Sequence, residues 1–231
     1  SYYAGRMLDV DESLFRYIFA FIGIMGCIGS LLMSLIKVHK KNFSKQPRIK
    51  MNKFIFDPIR RTFEVLKTNR DFAVFERNFF IYGIGFLIIT PIIPKYLVEI
   101  LKLDYTHSFL GKAIISQIPI LFLAPIAGKL FDRKNPAFFS ALAFGSLSLY
   151  PLILFISTYF ANLTTAMYIA FLGFFIYGIA ISGILITWNV SSMYFAGEND
   201  VAMFQSVHVT LTGLRGIIVP PLGFLIMKLF G

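Results

Sequence analysis

Charge is scarce in this chain of 231 residues: Asp, Glu, Lys and Arg together make up 15%. A water-soluble domain carries about 25%. Cysteine occurs once, as Cys27 inside an apolar run. No intrachain disulfide is possible, so a secreted disulfide scaffold is excluded. Tryptophan also occurs once, as Trp188, and from Asn135 to Gly197 there is no charged residue. Such a chain cannot cover a water-facing surface, which excludes a soluble enzyme. What it has instead is 57% hydrophobic residues, 27 of its residues being Phe, and a mean hydropathy of +0.72. That composition also excludes a disordered tail. The net charge is +10, from 22 Lys and Arg against 12 Asp and Glu. A nucleic-acid binder would need those charges on a folded, water-facing surface, so their location decides what they mean.

A bilayer core about 30 Å thick takes about 20 mostly apolar residues as helix. The sequence offers six such stretches, at 14–36, 78–101, 108–131, 136–158, 166–194 and 202–229. The polar break from Ser157 to Thr165 divides the long uncharged run into two of them. A transmembrane β-barrel would need about ten-residue alternating segments, and these runs do not alternate. The fold expected is all-α, a polytopic membrane protein of six transmembrane helices.

The basic residues are concentrated. Twelve of the 22 lie between Lys37 and Arg77, against Asp57, Glu64, Asp71 and Glu76. An excess of Lys and Arg marks the cytoplasmic side. The loop at 38–77 is therefore expected in the cytoplasm, with the 132–135 turn on the same side. After Pro58, Ile59, Phe63 and Leu66 recur at i, i+4, i+7, while Arg60, Arg61, Glu64 and Lys67 face away. This predicts a short amphipathic helix suited to an anionic leaflet, although a solvated linker explains the charge equally well. Three Asn-x-Ser/Thr sequons, at Asn42, Asn162 and Asn189, are taken as chance.

The turn between the third and fourth spans reads Gly128-Lys-Leu-Phe-Asp-Arg-Lys-Asn-Pro136. It resembles the cytoplasmic-loop motif Gly-x-Leu-x-Asp-Arg-x-Gly-Arg of the major facilitator superfamily. Gly128, Leu130, Asp132 and Arg133 match, and Asn135-Pro136 replaces the trailing Gly-Arg. Phe79 to Gly85, Pro91 to Pro94, Trp188-Asn189 and Pro220-Pro221 are similar to the second half of such a transporter. The resemblance implies that 1–37 ends with the last helix of an N-terminal half, that 38–77 joins the halves, and that 78–231 is a C-terminal bundle lacking its final helix. The expected object is a fragment, about half of the family's fold, whose partner is the missing N-terminal half. Gly128, Asp132 and Arg133 are expected to gate. Read from the residues alone, Asn135 and Pro136 suit the start of a helix, and Asp132 beside Arg133 offers a charge pair.

Ionisable groups at membrane depth are costly and tend to face a cavity. Arg215, near the middle of the last span, is the leading substrate-binding candidate, because an exposed arginine there costs about 2.5–3.5 kcal/mol. His208 lies seven residues earlier and Thr212 between them, a polar stripe on one face. Trp188, Asn189, Gln117 and Tyr82 complete the candidates. No carboxylate is expected at membrane depth, so a coupling acid is expected in the missing half. The remaining intramembrane charge is positive, which favours an anionic or zwitterionic substrate.

The function expected is secondary active transport of a small solute by alternating access, with a coupling ion, in a plasma or bacterial inner membrane. The alternatives are an intramembrane enzyme and a non-transporting receptor or assembly subunit. The sequence holds no His-Glu-x-x-His, no Gly-x-Ser-x-Gly and no Cys/His metal spacing, so no enzyme, metal or cofactor is expected. The partners expected are the small solute and the lipid bilayer, with no nucleic acid.

Overall fold

The computed structural model describes residues 2–36, 51–197 and 200–230, without the side chains of 51–58 and 230. The stretch 37–50, with the sequon at Asn42, lies outside the described residues, as does Glu198. The order is α1 (Tyr2–Val10), α2 (Phe15–Ser34), α3 (Met51–Thr68), α4 (Arg70–Ile89), α5 (Ile92–Lys95), α6 (Tyr105–Phe109), α7 (Gln117–Arg133), α8 (Pro136–Ser157), α9 (Leu163–Ala196) and α10 (Val201–Phe230). Two π-helical turns, Tyr96–Ile100 and Leu110–Ile115, extend α5 and α6. Among the described residues there is no strand.

Six continuous helical stretches are long and apolar enough to cross a bilayer: Glu12–Ser34, Arg70–Ile100, Tyr105–Arg133, Pro136–Ser157, Leu163–Ala196 and Val201–Leu229. The protein is an all-α, polytopic integral membrane bundle. One boundary differs from expectation in a way that matters: the second span starts at Arg70, not at 78. Asn69 sets that start, its side-chain oxygen accepting from the Phe72 amide at 2.9 Å, as an N-cap does. Asn162 starts α9 in the same way, accepting from Thr164 and Thr165, so this sequon serves as a cap. Asn135 starts α8, accepting from Ala137, with Pro136 in the first turn.

Small residues allow the helices to approach closely. α9 buries Ala166, Ala170, Gly173, Gly178, Ala180 and Gly183. Against them pack Leu147, Tyr150 and Leu154 of α8 and the Ser116 to Pro119 corner of α7. At the opposite end a second cluster holds Phe72, Phe75 and Phe79 of α4, Ala196 of α9, and Phe204 and Val207 of α10. Val65 and Leu66 of α3 pack onto it. The amphipathic helix is longer than the sequence predicts, since α3 runs from Met51 through Pro58. Leu66 leans onto the bundle while Ile59 and Phe63 stay exposed, so the predicted apolar stripe is split between bundle and surroundings.

The end of the bundle away from α3 is fastened by a side chain from α1. Asp9 accepts from the Tyr105 amide at 2.7 Å, the Thr106 amide at 3.0 Å and the Thr106 hydroxyl. Asp104 accepts from His107, and Ser108 donates to the Asp104 carbonyl. The amides of Tyr105, Thr106 and His107, which have no partner within the helix, are thereby satisfied, and Ser108 makes the first bond of the helix itself. Gly5 permits the contact, because a Cβ there would stand 2.8 Å from the Thr106 Cα. α2 stands apart, with none of its residues buried.

Candidate functional site

The site is built where α10 lies along α4. The two backbones close on each other at Gly223, where a Cβ would run into the Ile88 carbonyl. Two turns nearer α3, Arg215 of α10 lies across α4 at Gly83, whose missing side chain leaves room for the guanidinium. Nη1 of Arg215 donates to the Phe79 carbonyl at 2.6 Å, and the guanidinium carbon sits 5.2 Å from the Phe79 ring centre. The Nε of Arg215 is buried with no partner among the described residues. Arg215 is 3% exposed. The cation is therefore held by one carbonyl and one aromatic face, a cation–π arrangement.

One turn further along α4 is Glu76, and it faces His208 of α10. Nδ1 of His208 stands 2.8 Å from Oε1 of Glu76, and the two residues are 1% and 2% exposed. The other ring nitrogen, Nε2, is buried and unpartnered. Glu76 and Arg215 are close enough to feel each other's charge. Phe79 is the hub of this cluster. Its ring centre lies 4.8 Å from that of His208, 5.3 Å from that of Phe144 and 6.0 Å from those of Tyr82 and Trp188.

Four of the expected binding residues, Arg215, His208, Tyr82 and Trp188, thus meet around one phenyl ring. Thr212 is half-buried on α10 between His208 and Arg215. Asn189 does not join them. It is exposed, and its amide donates back to the Leu185 carbonyl at 2.7 Å. Gln117 is exposed at the start of α7, where it lines a separate cavity of about 140 Å³ with Lys112, Tyr150 and Tyr177. The motif residues Asp132 and Arg133 are both exposed. They form no ion pair among the described residues, so the expected charge pair is not made. Gly128 lies half-buried, and a Cβ there would stand 4.0 Å from Cδ1 of Ile186 on α9.

Glu76, which the expected bounds leave outside the second span, lies within α4 and is buried. Starting the second span at 78 leaves Glu76 in the loop. The capping signal Asn69, with Phe72, Phe75 and Phe79 following at helical spacing, marks the true start. Among the described residues no three His, Cys, Asp or Glu side chains gather closely enough to hold a metal ion.

Arg215 and the Glu76–His208 pair thus lie buried inside a polytopic helical membrane bundle. The sequence profile of the Major Facilitator Superfamily matches residues 3–220, and the chain belongs to that family. It is similar to the proton-coupled antiporter flippase LtaA of Staphylococcus saprophyticus, at 24% identity over 214 residues. That match covers 91% of this chain and 49% of the relative, so the chain spans about half of the relative's length. No solved structure matches the chain.

Proposed function

We propose that this chain is the second half, with the preceding linker helix, of a secondary transporter that moves an anionic or zwitterionic amphiphile by alternating access. The observation that carries the reading is Arg215, a cation buried in the bundle on one carbonyl and one ring, with a donor still free. An intramembrane cation so placed is expensive, and such groups mark substrate or ion pathways. In this reading residues 1–37 close the N-terminal half, 38–77 form the cytoplasmic connection, and 78–231 rock against the first half around a midplane site. Arg215 takes the acidic headgroup, Tyr82 and Trp188 line its path, and Asn189 and Gln117 face the other half. Gly128, Asp132 and Arg133 meet that half at the cytoplasmic side when the inner gate closes. The relative is a proton-coupled antiporter flippase, which supports both an amphiphilic cargo and a proton as the coupling ion here.

The test uses the full-length protein in liposomes with fluorescent phosphatidylglycerol or phosphatidylcholine in one leaflet. A pH gradient is expected to drive one of these lipids across, and Arg215→Ala to abolish the movement. Binding without movement in either direction would assign the protein to the receptor class instead.

A further inference from the structure

We infer that Glu76 and His208 form a proton-binding site at the seam between α4 and α10, and that its occupancy governs how tightly α10 packs on α4. The inference rests on the transport reading above and gives its coupling ion a place.

Both side chains are closed to solvent, yet both are titratable, and they face one another at 2.8 Å. α4 adds Tyr82 and α10 adds Arg215. α9 supplies the uncharged Trp188, α8 supplies Phe144, and α3 supplies Val65 and Leu66. The described charges that bear on the pair are therefore its own and that of Arg215.

A Glu76 carboxylate and the Arg215 guanidinium cancel, so with a neutral His208 ring the cluster carries no net charge. One added proton, on either member of the pair, leaves the cluster at plus one among phenyl rings. An uncompensated charge in such surroundings is strongly disfavoured. The protonated cluster is therefore relieved by any movement that admits water or an anion between the two helices. The unpartnered Nε2 is the atom such a newcomer meets.

α10 is built to allow that movement. Gly213 and Gly216 have nothing within 4 Å of where a Cβ would stand, and Pro220-Pro221 lie inside the helix. Proline removes an i to i−4 hydrogen bond and allows a bend. Release of the proton restores the neutral cluster and draws α10 back onto Phe79.

The experiment compares full-length wild type with Glu76→Gln and with His208→Gln in liposomes, scoring only variants that elute as single species. Both replacements keep a hydrogen-bonding group of similar reach and remove a titrating one. Two rates are read with fluorescent phosphatidylglycerol: movement driven by a pH gradient, and exchange at equal pH on both sides. The expected result is that the driven rate falls by about a hundredfold, the scale of losing a positioned proton-transfer group, and that its pH dependence flattens. Exchange persists. If both variants keep the driven rate, the inference is overturned. If exchange and driven movement are lost together in both, the pair is a packing element and the inference is again overturned. A wild type that moves the lipid in neither regime removes the transport reading itself, and the proton role falls with it.

Discussion

Arg215 occupies the space that a side chain on Gly83 would fill. A Cβ built on Gly83 would overlap the guanidinium, reaching Nη1, the carbon and Nε. The contact ties α10 to α4 through the Phe79 carbonyl. Glycine at 83 is therefore part of the arginine's seat.

Gly83→Ala is expected to displace the guanidinium and to lose its hydrogen bond. A bond from a charged donor is worth about 1.5–3 kcal/mol, so thermal unfolding of the full-length protein in detergent should move down accordingly. Arg215→Met removes the clash along with the bond. The double variant Gly83→Ala with Arg215→Met should then lose less than the sum of the singles, the signature of contacting residues. Simple additivity would show that the two positions do not meet.

The clasp at the other end of the bundle depends on pH. Burial opposes the Asp9 charge, but the hydroxyl and amide of Thr106 and the amide of Tyr105 outweigh it, with His107 adding to them. They hold the Asp9 carboxyl below its ordinary value. A group whose folded value is depressed stabilises fully above the unfolded value and loses that contribution as pH falls through the folded one. The clasp is thus complete at neutral pH and released in acid, below the usual carboxylate range of about 3.9. Asp9→Asn should weaken the attachment at neutral pH. Hydrogen exchange of the Tyr105 and Thr106 amides checks this: they should exchange faster in the variant at neutral pH, and the difference should vanish in acid.

What could be read from sequence here is what depends on neighbours along the chain. Six spans follow from hydropathy, and Asn135-Pro136 announces the start of α8 because a cap and its helix are adjacent. Arg215 and His208 stand out because a charged or imidazole group in an apolar run is costly wherever it points. Glu76 was hidden for the opposite reason. It lies among Asp71, Arg70 and Arg77, where composition reads as loop, and its burial comes from a residue 132 positions away. The Asp9 clasp, reaching 97 positions to Thr106, is hidden likewise. Asn189 misled because an amide in an apolar run looks unsatisfied, whereas its own helix supplies the Leu185 carbonyl.

Asn69 has two duties. It caps α4 through Phe72, and its amide nitrogen donates to the Phe195 carbonyl of α9 at 3.3 Å. Losing an N-cap costs about 0.5–2 kcal/mol. Asn69→Ala should exceed Asn69→Asp in cost, because aspartate keeps the cap and loses only the tie to α9. The order of the two thermal midpoints tests the assignment, and a cost for Asn69→Asp equal to or above that of Asn69→Ala would show that the side chain does not act as a cap.

Gly178 marks a close approach of α9 to the start of α7. A Cβ there would meet the Ser116 carbonyl oxygen and stand 3.1 Å from the Pro119 ring. Neither neighbour can turn aside, since one is backbone and the other a ring fixed in its helix. Ser116 is fully buried, with its hydroxyl donating to the Lys112 carbonyl at 2.6 Å inside the π-helical turn. Gly178→Ala must therefore push the two helices apart, and overpacking of this kind costs about 1–3 kcal/mol. Gly145, on α8, has nothing within 4 Å of its Cβ position, so Gly145→Ala serves as the matched control. It removes a flexible residue from a helix interior, a gain of about 0.5–1 kcal/mol. The two alanine variants should shift the thermal midpoint of the full-length protein in opposite directions. Equal shifts of one sign would mean that α7 and α9 do not touch at Gly178.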